Sequence, residues 1–300
     1  MSGATDVFRE HRRLLIGVAY RVLGSVTDAE DVVQESWLRW SKVDPREVNE
    51  PKAFLITTVT RLAIDRLRQV KAQREAYPGT WLPEPVSNIP GGAETAELAD
   101  SVDLALLVVL ETLSPLERAV FVLREAFELP FADIAEVIGR EEPAARQLAK
   151  RAREHVQARR PRFEVDRASR REITERFLAA SSQGDLDSLT SLLARDVALV
   201  SDGGGKARSP LRIIVGAEKV VRFFAGISTE QGTNAFMASI GLEPPREFSF
   251  AIAEINAAPA LVVYAGSRPI TLVSLVVADG RIEEIYLVAN PEKLEHLTAA

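Results

Sequence analysis

The sequence predicts a multidomain protein: two all-α parts followed by an α+β domain. Three observations predict it. Residues 6–74 and 102–158 carry apolar residues at helical spacing. The stretch between them, 75–101, holds Pro78, Gly79, Pro83, Pro85, Pro90, Gly91 and Gly92, the composition of a linker. From about residue 170 two helices give way to strand-like runs. The expected boundaries are 1–74, 75–101, 102–162 and 168–300, and 300 residues suit two or three domains.

In the first part, Leu14, Leu15, Val18, Ala19 and Val22 follow helix spacing. Thr27, with Glu30 three residues on, is the expected N-cap of a helix over about 28–42. Val33, Trp37 and Trp40 share its inward face, and Asp28, Asp31 and Glu35 share another. A third helix is expected over 53–70, with Ile56, Val59, Ala63 and Leu67 inward and Phe54, Thr58, Arg61, Asp65 and Arg68 along a second side. The linker contains the island Trp81-Leu82-Pro83-Glu84-Pro85; a solvated tether has little use for Trp and Leu, so this piece is expected to dock.

The second helical part starts with a helix over 102–112. Ser114-Pro115 opens the next, and a short helix, Phe131–Ile138, stops at Gly139 as at a C′ glycine. A longer helix begins near Pro143, so the last two form a helix-turn-helix. Beyond 170, helices at 170–182 and 185–194 precede strands at 197–201, 248–255, 261–265, 270–277 and 281–288, with a helix at 217–224. Ala278-Asp279-Gly280 is a hairpin signal. Helices before an antiparallel sheet suggest a cone with a cavity.

Composition removes several chemistries. There is no cysteine, hence no disulfide, thiolate zinc site, iron–sulfur cluster or cysteine nucleophile. The three histidines, His11, His155 and His296, are far apart in the chain, so neither a metal centre nor a cofactor is expected. With neither a signal-peptide core near the start nor a run of 18 apolar residues, the chain reads as cytoplasmic and without membrane partners.

Charge is segregated beneath a net value of −6. Residues 52–74 (Lys52, Arg61, Arg66, Arg68, Lys71 and Arg74 against Asp65) sum to +5, residues 75–117 to −8, and residues 141–171 to +5. Two basic patches thus flank an acidic connector, a pattern suited to nucleic acid. On the helix from Pro143, Ala145, Leu148, Ala149, Ala152 and Val156 face inward, while Arg146, Lys150, Arg153 and Gln157 share the opposite side. Such a face fits a major groove, although an isolated basic face is more often merely solvated. Phe54 beside Arg61 and Arg68 suits strand-separated DNA; the plainer reading is a packing Phe beside surface cations. The Asp28/Asp31/Glu35 side suits a basic protein partner or simply complements the helix dipole.

In this order the pieces resemble a known family. Asp28-Ala-Glu-Asp31-Val-Val-Gln34-Glu35-Ser-Trp37 is similar to conserved region 2 of bacterial extracytoplasmic-function (ECF) sigma factors. Ala53-Phe54-Leu55 to Arg68 resembles the helix that engages the −10 promoter element. Leu113-Ser114-Pro115-Leu116-Glu117-Arg118, Phe131–Gly139 and Ala145–Arg153 resemble region 4, which binds the −35 element. Trp81–Pro85, Asp202-Gly203-Gly204-Gly205-Lys206 and Asn290-Pro291-Glu292-Lys293 resemble three signatures of ECF proteins with a fused SnoaL-like (NTF2-like) domain. Departures are Glu141-Glu142 where Ser or Thr more often caps, Thr60-Arg61 in place of Arg-Asn, and Glu292 in place of Asp.

The resemblance implies sigma regions 2 and 4 plus a C-terminal α+β NTF2-like cone, acting as an alternative sigma factor. It implies docking on core RNA polymerase, at clamp and flap, through Asp28, Asp31, Gln34, Glu35 and Trp37. It implies −10 contacts by Lys52, Phe54, Thr58, Arg61 and Arg68, and −35 contacts by Arg146, Gln147, Lys150, Arg151 and Arg153. The three C-terminal signatures become regulatory contacts in cis: Trp81, Leu82, Pro83, Glu84 and Pro85 with Asp202, Gly203, Gly204, Gly205 and Lys206, and with Asn290, Pro291, Glu292 and Lys293. The cavity leaves room for an unidentified small-molecule effector. Catalysis is the weaker expectation, because the only histidine of this domain is His296, near the terminus, and Asp202 beside three glycines reads as a turn former. A ligand-sensing helix-turn-helix regulator is the alternative for the whole chain; it accounts for neither the acidic-aromatic helix nor the second basic patch.

Overall fold

The structure is a computed structural model that describes residues 2–87, 102–159, 166–243, 247–295 and 297. His296, Pro90, Gly91, Gly92 and the connector acids Glu94, Glu97 and Asp100 lie outside these residues. The chain forms two compact units, 1–75 with 106–160, and 76–105 with 161–300. The linker therefore divides: residues 76–87 belong with the C-terminal unit.

The first unit is helical. Helices α1 (Ser2–Leu23), α2 (Val26–Trp40) and α3 (Pro51–Glu75) pack on one another. Their shared core is Leu15, Val18, Ala19 and Val22 with Ala29 and Val33, and Leu55, Val59, Ala63 and Leu67. Each fully buried Val or Leu of this core contributes about 1.5–3 kcal/mol. Trp40 is wholly buried, and its indole N–H donates to the Ala4 carbonyl at 2.8 Å. The expected cap at Thr27 is replaced by Ser25, whose hydroxyl accepts the Asp28 N–H. Gly24, at φ 71°, breaks the chain from α1 one residue earlier, so the helix starts sooner than the Thr27–Glu30 pattern suggests. Helix α3 extends past the expected 53–70 at both ends, and Pro51 takes its first position, where no N–H is needed.

Among the described residues this unit continues with α4 (Leu104–Leu110, from residue 106 on), α5 (Pro115–Phe121), α6 (Phe131–Ile138) and α7 (Glu142–Arg159). Ser114 and Glu117 form a reciprocal capping box at α5. A π-helical turn, Val122–Ala126, continues α5. Gly139 ends α6 in the left-handed conformation at φ 63°. The helix-turn-helix is present, with Ala145, Ala149, Ala152 and Val156 buried on α7.

The C-terminal unit is α+β, as expected. After α8 (Arg167–Gln183) and α9 (Leu186–Leu192) come β1 (Leu193–Asp202), β2 (Ile214–Val215), α10 (Ala217–Ile227) and α11 (Glu230–Ser239). Strands β3 (Phe248–Ile255), β4 (Ala258–Ala265), β5 (Arg268–Ala278) and β6 (Arg281–Val288) and a short α12 (Pro291–Leu294) follow. The sheet order is β2-β1-β6-β5-β4-β3, antiparallel except for β1 beside β6. The Asp279-Gly280 hairpin is present, both residues at positive φ. Val197, Leu199, Leu261, Val273, Leu275, Val277, Ile285 and Leu287 form one apolar sheet face, covered by Ile173 and Phe177 of α8, Leu189 and Leu192 of α9, and Val220 and Phe224 of α10. Helix α11, the two-residue β2 and the first residues of β1 and β4 were not legible; α11 has only one buried residue, Met237, and so little periodic signal. Among the described residues, no helix is long and apolar enough to cross a membrane, and no group of three or more His, Asp or Glu could hold a metal ion.

Candidate functional site

On α2, Asp31, Gln34 and Glu35 are exposed, with Glu35 bonded to Arg39 one turn on. Leu38 adds an exposed apolar side chain, 55% accessible. Trp37 is half-buried against Phe8, ring centroids 5.1 Å apart. Asp28 differs from its neighbours: one carboxylate oxygen accepts two N–H groups of the Arg66 guanidinium, at 2.8 and 2.6 Å, joining α2 to α3.

On α3, Lys52 is exposed and Phe54 lies against Trp40. The Thr58 hydroxyl donates to the Phe54 carbonyl, and Arg68 pairs with Asp65. Arg61 reaches α6, donating to the carbonyls of Val137 and Glu136 at 2.9 and 2.7 Å. These carbonyls sit at the C-terminal, partially negative end of α6, where a cation is favoured. A second tie lies nearby. Glu111, after α4, accepts from Arg118 and from Arg74, the latter at 2.5 Å. Lys71 donates to the Glu111 and Leu113 carbonyls, while Arg118 and Arg74 also donate to the carbonyls of Arg21 and Leu23. Arg118 is fully buried. Burial, chiefly, lowers the Lys71 and Arg74 pKa values, and the Glu111 charge opposes that shift. The Glu111 carboxylate thus holds two arginines and its backbone carbonyl a lysine, joining both helical groups of this unit.

On α7, Arg146, Gln147, Lys150, Arg151 and Arg153 are all exposed. Four of them face carboxylates: Arg146 with Glu142, Lys150 with Glu154 (3.8 Å), Arg151 with Glu117 (3.8 Å) and Arg153 with Glu125 (2.6 Å). Exposed pairs of this kind are worth about 0–1 kcal/mol each, so a phosphate can displace the loose ones, those of Lys150 and Arg151. Arg146 also lies over the Phe131 ring, 4.7 Å from its centroid.

The three C-terminal signatures meet in the second unit. Asp202 is fully buried at the end of β1, and its carboxylate accepts four hydrogen bonds from described residues. Tyr77 OH (2.7 Å) and the Gly204 N–H (3.0 Å) reach one oxygen; the Leu82 N–H (2.9 Å) and the Lys293 ammonium (2.7 Å) reach the other. Lys293 also donates to the Leu82 carbonyl and lies 4.0 Å from the centre of the Trp81 ring. The Asn290 side chain caps α12 and donates to Tyr77. Lys206 pairs with Glu292 at the rim. Leu82, Pro83, Glu84 and Pro85 are buried. At the other end, Asn256, at φ 50° in the β3–β4 turn, accepts the Val86 N–H through its side chain, and its own N–H donates to the Val86 carbonyl. The segment 77–87 is therefore a strap fastened at two points. Burial, with the Asp202 charge behind it, raises the Tyr77 pKa.

Gly204 and Gly205 sit at φ 62° and 70°, so this loop needs glycine; it opens no helix. Sequence reasoning missed Tyr77, Asn256, Glu111 and Phe131. Tyr77 adjoins the proline-rich island and Glu111 stands alone between apolar runs; neither falls on a periodic face, so the only signal was residue type.

A sigma-70 region 2 family model matches residues 7–73, and a sigma-70 region 4 model matches residues 103–156. Together with the helix-turn-helix, these place the chain in the sigma-70 class. The ECF RNA polymerase sigma factor SigJ of Mycobacterium tuberculosis (strain ATCC 25618 / H37Rv) is 40% identical over 296 residues, covering 95% of this chain and 91% of that protein. SigI from the same strain is 31% identical over 295 residues, covering 97% and 95%. The crystal structure of M. tuberculosis SigJ matches with a TM-score of 0.75 at 37% identity, covering 96% of this chain and 97% of that one. The chain belongs to the ECF RNA polymerase sigma factor family.

Proposed function

We propose that this sigma factor directs core RNA polymerase to −10 and −35 promoter elements and that its C-terminal domain regulates this activity in cis. In this reading α2 docks on polymerase through Asp31, Gln34, Glu35, Trp37 and Leu38, while Asp28 orients the helix through Arg66. Lys52, Phe54, Thr58, Arg61 and Arg68 serve the −10 element, and the basic side of α7 serves the −35 element. Each contact set alone binds weakly and with strong salt dependence; polymerase links them, and the affinities multiply through effective concentration.

The observation that carries cis regulation is the strap. It is part of the covalent path from α3, which ends at Glu75, to α4, which begins at Leu104. The buried Asp202–Lys293 pair fastens it to the C-terminal sheet. Whatever loosens that fastening lengthens the tether between the −10 and −35 helices. The sheet side beneath α8, α9 and α10 supports a non-catalytic role, because Val197, Leu199, Val273, Leu275, Ile285 and Leu287 spend it on a packed hydrophobic core. Enzymes need acid–base or nucleophilic groups aimed at a substrate. The test is transcription by core polymerase supplied with the full chain, with Asp202→Asn, or with a chain ending before Asn290. Both altered chains should change promoter output while still co-purifying with polymerase; unchanged output would refute regulation by this domain.

A further inference from the structure

The α7 cations are not held alike, and the difference separates one of them from the rest. Lys150 and Arg151 stand 3.8 Å from their carboxylates, a loose pairing. Arg153 has a closer carboxylate, Glu125, in the π-helical turn that continues α5. Arg146 is held twice. Its Nε–H and Nη2–H both donate to one oxygen of Glu142, the former at 3.0 Å, and its guanidinium plane lies over Phe131. Phe131 opens α6, and Arg124 lies over the same ring at 5.0 Å, itself tied to the Leu129 carbonyl.

A guanidinium has two donor edges, Nε with Nη2 and Nη1 with Nη2. Glu142 occupies the first and the ring fixes the plane. The second edge remains, and its two parallel donors match O6 and N7 of guanine in the major groove. Arg146 is the fifth residue of α7, within the N-terminal part of a recognition helix that reaches base edges. The side chain is also 60% exposed, so the free edge is accessible. A carboxylate at this position repels DNA phosphate, an expense that makes sense if it orients a base-reading group.

We propose that Glu142 and Phe131 are positioning residues that present the Nη1–Nη2 edge of Arg146 to one guanine of the −35 element, while the loosely paired Lys150 and Arg151 contact phosphate. This rests on the −35 reading of α7 given above.

The experiment uses core polymerase with the full-length chain, selecting bound duplexes from a library randomised across the −35 region, read by sequencing. The wild-type chain should show a guanine preference at one position, of about 5- to 150-fold for a bidentate contact. Arg146→Ala should abolish it. Glu142→Gln should reduce it about fivefold, as a charge-assisted pair becomes a neutral one, while affinity for all duplexes rises because a negative charge is gone. Phe131→Leu should reduce the same preference, and Phe131→Tyr, which keeps the ring, should restore it. Lys150→Ala should weaken binding to every sequence alike and lower the salt dependence. If Arg146→Ala leaves every position unchanged, the −35 reading itself fails. If Arg146→Ala removes the preference but Glu142→Gln and Phe131→Leu both retain it, the positioning role is overturned and the −35 reading stands.

Discussion

Lys293→Met removes the cation bonded to the Asp202 carboxylate. Three donors stay with that carboxylate: Tyr77 OH, the Leu82 N–H and the Gly204 N–H. The carboxylate is fully buried, so its charge is left uncompensated inside the fold. Breaking one side of a buried pair costs about 3–5 kcal/mol, and the remaining donors put this case at the lower end, about 3 kcal/mol. At about 1.4 kcal/mol per tenfold, strap opening should become roughly 100-fold more frequent. Hydrogen exchange at the Leu82 amide reads this directly, because that N–H bonds to Asp202 itself. Its protection should fall by about that factor when exchange proceeds through strap opening. The Val86 amide, held by Asn256, should lose less. The double variant Asp202→Asn with Lys293→Met buries no charge and should recover much of the protection, since replacing a whole buried pair is often close to neutral. Leu82 protection within about threefold of wild type in Lys293→Met would refute the claim that this pair fastens the strap.

Other consequences follow from the same geometry. Glu111→Ala leaves Arg118 buried without its carboxylate and should destabilise the helical unit by about 3 kcal/mol, measured by urea unfolding followed by circular dichroism. Gly204→Ala puts a methyl against the Asn290 amide and within 3.0 Å of Tyr77 OH, on a residue at φ 62°; Leu82 protection should fall in this variant too. Tyr77 has a folded-state pKa raised above the ordinary 10, so its contribution is fully present below pH 10 and is lost as pH climbs beyond it. Thermal unfolding between pH 8 and 11 should therefore show a shallower alkaline decline in Tyr77→Phe, with Tyr264 and Tyr286 supplying the remaining slope.

The helical parts were legible because burial and periodicity coincide there. The α7 positions 145, 149, 152 and 156 recur at helical spacing and all four are buried. Gly139 marked a true helix end because only a left-handed residue closes α6 in that way. The Thr27 cap misled because two hydroxyls, Ser25 and Thr27, stand two residues apart and only the chain break at Gly24 decides between them. The docking island was legible from composition, since Trp and Leu among prolines need a surface. Its partners Asp202, Asn290 and Lys293 came only from the family resemblance and Asn256 from nothing in the sequence; they lie 120 to 213 residues away, and no local pattern encodes such pairings. The pairing of Arg61 with α6 carbonyls has the same origin, a contact 75 or 76 residues distant. Asp28 shared a helix face with Asp31 and Glu35 in the sequence, yet Arg66 draws it into a joint between helices.

Sequencing the 5′ ends of RNA made by core polymerase on genomic DNA, with and without the purified chain, tests the central claim most directly. New start sites sharing −35 and −10 elements at constant spacing, lost together with Arg146→Ala, are the predicted result. The same start sites with and without the chain would contradict it.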